Sequence, residues 1–264
     1  MPESPVIEGS SKQFFYHDDN TYLMTFKDSL HGASRVGNIT GTGYLRQAFT
    51  YYFYRILEKQ QIFTHLTDKA MLQNGILVHK TCPIKLEIIV RNRARGHWVD
   101  AHKIPLFQGG EIFSWPLVEF CLKWKTVLAN GQEIDDPRVS PDLILLLDSQ
   151  AKDLSIRDNL LKSLDEVQQL KQMALRINSI YSVLLAEVDW ILEDFKFEVG
   201  ILPKDSTRQL VLIDEISPDS SRIRDIHGNS MTKDLFRQKR ENTVIYANYL
   251  RLKEFMEKMY AGSN

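Results

Sequence analysis

The chain has 264 residues, 43% of them apolar, enough for one large or two modest domains around a buried core. Its formal net charge of −1 gives no bulk electrostatic attraction to nucleic acid or to an anionic membrane, so phosphate binding must come from local basic sites. No stretch approaches the ~20 apolar residues of a membrane span, and the N-terminus has no basic segment followed by an apolar run; a cytoplasmic protein is expected.

Val6 to Lys12 leads into Gln13–Tyr16, an Asp18–Asn20 turn and Tyr22–Phe26, a pattern that reads as a hairpin or short meander. A glycine turn followed by lysine, here Gly9 and Lys12, can set backbone amides and an ammonium over phosphate, though such a turn is commonly only a β-turn. From Lys27 a loop carrying Gly32, Gly37, Gly41 and Gly43 precedes a helix expected from about Tyr44 to Gln60, where apolar residues recur at helical spacing. Strand-like runs follow from Ile62 through Ile76–Val78 to Ile84–Val90, the last leading into Arg91, Arg93, Arg95 and Gly96. Guanidinium forks grip phosphate and carboxylate in two-pronged fashion, so this cluster suits an anion-binding cleft; the alternative is an ordinary charged loop.

His102 to Gly131 is aromatic and strand-like, punctuated by Pro105 and Pro116, and Asp135-Asp136-Pro137 marks a turn. Ser163-Leu-Asp-Glu166 is a capping box opening a long helix with Leu164, Val167, Leu170, Ala174, Ile177, Tyr181 and Leu184 on one face. Next comes a strand in which Asp194, Lys196 and Glu198 alternate with Phe195, Phe197 and Val199, one face charged and one apolar. A turn over Gly200–Gln209 joins it to Leu210–Ile213, which ends in Asp214 and Glu215. Carboxylates at the end of an apolar strand are costly unless a cation neutralises them, and hard oxygen ligands beside phosphate suit magnesium; the equal alternative is an edge hairpin with a solvated charged face. Simple antiparallel pairing sets Asp214 nearer Asp194 or Lys196 than Glu198, so a metal shared by Glu198 and Asp214 needs twist or a bulge. A final amphipathic helix, about Asn242 to Met259, is expected to pack or to pair copies in a homodimer or larger homo-oligomer. Cys82 and Cys121 sit in apolar contexts and read as buried free thiols, and the seven histidines show no zinc-binding spacing.

The runs EDFKFEVG (193–200) and IDEISPDSSRIRD (213–225) together resemble the signature of the SAICAR synthetases, purine-pathway enzymes that join aspartate to a carboxyaminoimidazole ribonucleotide. LEIIVRNRARG (86–96), FCLK (120–123), the Asp136-Pro137 turn and KDLFR (233–237) resemble further segments of that family, so the likeness spans nearly the whole chain. It implies an α+β fold: a small antiparallel β domain over residues 1–82 that covers ATP, and a larger α/β domain over 83–264, with the ATP cleft between them. It also implies transfer of the ATP γ-phosphate to the imidazole carboxylate, followed by attack of the aspartate amine on the acyl phosphate, with positioning and charge neutralisation dominant.

The resemblance carries roles to particular residues. Gly9, Lys12 and Lys123 would meet nucleotide phosphates, Glu198 and Asp214 would hold magnesium on ATP with Glu87 at the metal or imidazole side, and Lys196 would neutralise the transferred group. Arg91, Arg222 and Arg237 would hold the ribonucleotide phosphate, Asp194 and Asp219 would orient substrate hydroxyls or the amine, and Asp136 and Ser217 would line the substrate. The chain also departs from the family. Ser10 stands where a lysine is common, the glycine-bearing loop is about two residues shorter with His31 near a usual small hydroxyl residue, His97 replaces a serine, and Ala129–Gln132 reads as a hairpin insertion. These departures keep two rivals open, a sister amide ligase for another acid or amine and a non-catalytic nucleotide-binding paralogue.

Overall fold

The computed structural model describes residues 4–32, 35–72, 74–127, 131, 133–150, 160–203 and 207–263. Strands β1 (Ile7–Glu8), β2 (Lys12–Tyr16) and β3 (Thr21–Phe26) form the expected antiparallel meander. The glycine-bearing segment is not simply a loop: β4 (Ser29–Gly32) and β5 (Arg35–Asn38) pair as a small hairpin. Helix α1 (Thr42–Lys59) then begins hard against the end of β3. A Cβ on Gly43 would lie 2.4 Å from the Phe26 carbonyl oxygen, so only glycine fits, and the Gly43 amide donates to the Asp28 carboxylate at 2.8 Å. Strands β6 (Leu66–Leu72) and β7 (Gly75–His79) complete a sheet in the order β1-β2-β3-β7-β6. Ile62 lies ahead of that strand, in the turn after α1.

The second sheet begins with β8 (Cys82–Arg93), whose Ile84, Leu86, Ile88 and Val90 are buried at a spacing of two. A short helix, α2 (His97–His102), interrupts what the sequence suggested was loop and strand before β9 (Ile112–Leu122) returns beside β8. Pro116 is tolerated inside β9 because its outer neighbour, β12 (Arg138–Val139), pairs only with Phe120 and Cys121. Between them β10 (Lys125–Val127) pairs with β11 (Glu133–Asp135); Ala129, Asn130 and Gln132 of the expected insertion lie outside the described residues.

Helix α3 (Pro141–Gln150) precedes α4 (Leu164–Ala186), which opens at Ser163 as expected: its hydroxyl accepts from the Glu166 amide at 3.2 Å. The Glu166 carboxylate caps the Lys162 amide at 2.8 Å. Leu164 is 60% exposed and leaves the apolar face, which instead runs from Val167 to Leu185. Behind it lie β13 (Trp190–Ile201), β14 (Leu210–Ile213) and β15 (Ser221–Asp225), in a sheet ordered β12-β9-β8-β13-β14 with β15 also on β13. The short α5 (Asp234–Arg237) leads to α6 (Asn242–Gly262), which packs on α1 through Tyr249, Leu252 and Met256, each fully buried. A fully buried Leu or Met contributes about 1.5–3 kcal/mol, so α6 is part of the core. Both cysteines are free thiols. Cys121 is buried, which pushes its thiol up to about 11 ahead of the effects of Glu87 and Glu119, whereas Cys82 is exposed, against expectation. Among the described residues, no helix is long and apolar enough to cross a membrane.

Candidate active site

Strand β13 is an interior strand, not the outer strand of an edge hairpin. It pairs with β8 along one side and with β14 and β15 along the other, so its charged face meets protein on both flanks. The register also corrects the simple pairing. Glu198 lies opposite Ile213 and Ile201 opposite Leu210, which sets Asp214 one step from Glu198 without a bulge between these strands. Asp214 has φ +62°, a left-handed backbone that Asp tolerates better than most residues and that turns it out of the strand pattern. Asp136, just before Pro137, shares this conformation with φ +45°. Two strained aspartates facing one cavity are a reason to look there for function.

That cavity, about 440 Å³, is lined on the N-terminal side by Gly9, Ser10, Lys12 and His31, and on the other by Glu87, Lys123, Asp136, Lys196, Glu198, Asp214, Glu215, Asp219, Ser220 and Lys233. Its charges are paired across elements. Lys12 donates to Glu215 at 2.6 Å and lies 2.9 Å from Asp214; Lys123 meets Glu198 at 2.5 Å and Lys196 meets Glu87 at 2.6 Å. Burial opposes charge on Lys12, but the two carboxylates overrule it and hold the ammonium above its ordinary range. Burial likewise opposes ionisation of Glu215, yet Lys12 and Arg46 bring its carboxyl down to about 2. Glu198 goes the other way: burial and then the Asp214 charge push it up, with Lys123 only partly offsetting them. Two neighbouring carboxylates with one left short of positive charge fit a divalent cation that binds through one or two protein oxygens and completes its shell with phosphate and water. Among the described residues no three carboxylate, His or Cys groups are arranged together to hold a metal, and Glu87 accepts from Lys196 at 2.6 Å.

A second cavity, about 180 Å³, shares Lys196, Asp219 and Ser220 with the first and is otherwise lined by Arg91, His97, Asp194, Arg222, Arg237 and neighbours. The buried Asp194 carboxylate accepts from Arg222 at 2.7 Å and Arg91 at 3.1 Å, and Arg91 also donates to Glu119. Burial pushes Asp194 up against the pull of both arginines. Asp234 holds Arg222 from the far side at 3.2 Å and pairs with Arg237 at 2.5 Å. Arg95, part of the expected cluster, serves the opposite face of β13: with Arg224 it neutralises the fully buried Glu193, each at 2.8 Å.

Ser217 does not line either cavity. It is fully buried, donates to Glu215 at 2.5 Å and accepts from the Asp219 amide at 3.1 Å, so it shapes the turn from within. Ser220, which lines both cavities, carries no role expected from the sequence, and neither do Lys233 on the cavity wall or Arg46, Glu119 and Tyr249 behind it.

A cleft with lysines and carboxylates on one side and forked arginines on the other, joined through one lysine, is equipment for bringing two phosphate-bearing molecules together. The SAICAR synthetase family model matches residues 5–251. Phosphoribosylaminoimidazole-succinocarboxamide synthase of Campylobacter jejuni is 35% identical over 238 residues, 88% of this chain and 90% of that protein. Its counterpart from Pyrococcus horikoshii is 33% identical over 235 residues, 88% and 87% of the two chains. The crystal structure of the Ehrlichia chaffeensis synthase superposes with a TM-score of 0.81 at 28% identity, covering 96% of this chain and 98% of the other. A SAICAR synthetase in complex with ADP gives 0.77 at 28%, covering 95% and 96%. The chain belongs to the SAICAR synthetase family.

Proposed function

We propose that this protein joins L-aspartate to the carboxylate of carboxyaminoimidazole ribonucleotide at the expense of ATP, giving SAICAR, ADP and phosphate. The observation that carries this reading is the meeting of the two cavities at Lys196, Asp219 and Ser220, where a phosphate from one side and an acid from the other would come together. Residues 1–82 would act as the ATP-covering part and 83–264 as the catalytic part.

Gly9, Lys12 and Lys123 take nucleotide phosphates, the two lysines exchanging carboxylate partners for phosphate oxygens. Glu198 and Asp214 would hold magnesium, which when bound spreads the negative charge of the phosphates. Arg91, Arg222, Arg237 and His97 hold the ribonucleotide phosphate, and Asp194 orients the first two of these arginines. The substrate carboxylate attacks the γ-phosphorus, ADP departs, and Lys196 offsets charge on the transferred group. The aspartate amine then attacks the acyl carbon and inorganic phosphate leaves; a carboxylate alone offers no such leaving group. Asp219 accepts from the amine, and Asp136 and Ser220 line its approach.

The test is ADP release with the carboxyaminoimidazole ribonucleotide, with and without aspartate, and mass detection of the product. A succinocarboxamide is expected. ATP binding with no product from this acid overturns the reading in favour of another acid substrate and directs attention to His97.

A further inference from the structure

Asp219 stands where the two cavities join, yet its carboxylate is held from behind by residues of two helices that line neither. Arg46, in the second turn of α1, is fully buried; its Nη1 lies 3.2 Å from Asp219 Oδ2 and 3.8 Å from Glu215 Oε1. Its Nη2 donates to the carbonyls of Lys27 and Ser29, and its Nε has no partner among the described residues. Tyr249, on α6 and also fully buried, donates its hydroxyl to Asp219 Oδ1 at 2.6 Å. Burial, then the Asp219 charge, holds that phenol well above its ordinary range, so it stays a donor.

Burying a guanidinium with one N–H unmatched is expensive, and a well-packed apolar pair of the same volume would generally stabilise α1 and α6 at least as well. Stability is therefore a poor account of this arrangement; placement is a better one. Each carboxylate oxygen has been given one fixed donor, and a carboxylate has roughly four acceptor positions. The remaining capacity serves the cavity, where Lys233 already stands 3.5 Å from Oδ2.

We infer that Arg46 and Tyr249 are positioning residues that lock the Asp219 carboxylate in the orientation that receives the amine substrate. The inference rests on the proposed reaction. It assigns these two residues to the amine half of the chemistry, not to nucleotide or ribonucleotide binding.

The test uses the full-length enzyme with Tyr249→Phe, which keeps the ring and removes one hydroxyl, Arg46→Lys, which keeps the charge and removes the fork, and Asp219→Asn. Tyr249→Phe is expected to raise KM for aspartate about tenfold, with KM for ATP and for the ribonucleotide unchanged and the melting temperature near wild type. Arg46→Lys is expected to show the same selectivity. In an Asp219→Asn background, Tyr249→Phe should have no further effect. Equal losses for all three substrates, no loss at all, or independent effects in the double variant overturn the inference; if one variant fails to fold, the other decides. If wild type itself forms no succinocarboxamide, it is the proposed reaction that fails, and the two failures are distinct.

Discussion

The two cavities hold their cationic side chains by different physical strategies. On the lysine side each ammonium is paired with a carboxylate on another element, Lys12 with Asp214 and Glu215, Lys123 with Glu198, Lys196 with Glu87. Lysine is a compact point charge on a flexible stem, so these pairs can be exchanged for phosphate as ATP enters. On the arginine side, planar forks are fixed in advance: Asp194 holds Arg91 and Arg222, with Glu119 and Asp234 bracing their far sides. In the proposed reaction the first wall would adapt to a ligand whose charge changes, and the second would be preformed for a phosphate that stays intact.

The sharpest break between the two is Lys196→Ala. Because Lys196 lines both cavities, where the proposed transfer takes place, its loss should lower turnover about 10²–10³-fold in an ADP-release assay. Its side chain is half exposed, so the denaturation curve should scarcely move. Near-normal turnover would remove Lys196 from the mechanism. Asp194→Asn should do the reverse. It leaves buried arginines without their shared counter-charge, so stability should fall by about 3 kcal/mol in urea titration. Ribonucleotide KM should rise while KM for ATP holds; an equal rise in both would dissolve the division of labour.

Within the lysine side, a pH titration separates two carboxylates of opposite behaviour. Glu215, brought down from 4.5 to about 2, contributes stability that is present above pH 4.5 and lost as pH falls towards 2. The loss should be on the order of 3 kcal/mol. Glu215→Gln should flatten this acid limb of unfolding free energy against pH; an unchanged limb would move the effect elsewhere. Glu198, pushed up by burial and Asp214, has the opposite sign. Protons compete there above the usual glutamate range, so the magnesium requirement should grow on acidification. Glu198→Gln should raise the magnesium needed for half-maximal activity about 10–100-fold and weaken its pH dependence, read by titrating the metal at two pH values.

Much of this site was legible because strands announce their faces. The alternation of Asp194, Lys196 and Glu198 with Phe195, Phe197 and Val199 disclosed a charged surface over a core, and Asp214 after four apolar residues disclosed its neighbour. The register between them was hidden, because it depends on where an eight-residue connection, 202–209, closes and on a left-handed backbone at Asp214. Arg46 and Tyr249 were passed over although a signal existed. Arg46 stands three residues before Phe49 and seven before Phe53, Tyr249 three before Leu252, so both fall on faces that α1 and α6 bury. A charged residue at a buried helical position demands a partner, and the sequence does not say that the partner lies about 170 residues away, at Asp219. Ser217 misled for the complementary reason: a turn's hydroxyls look alike in sequence, and only the fold shows that Ser220 faces the cavity while Ser217 faces Glu215.

The smallest expected effect concerns the departure at His97. Its ring lies at the start of α2, exposed, on the rim of the arginine cavity, and makes no hydrogen bond among the described residues. If the phosphate is held mainly by preformed guanidinium forks, a rim imidazole adds one adaptable contact worth less than about 1 kcal/mol. His97→Ser should therefore change ribonucleotide KM by less than about fivefold and leave the ATP and aspartate constants alone. A larger change, or a switch in which acid supports ADP release, would mean that the arginine side is not complete in itself, and that its specificity is set at the rim rather than by the locked arginines beneath.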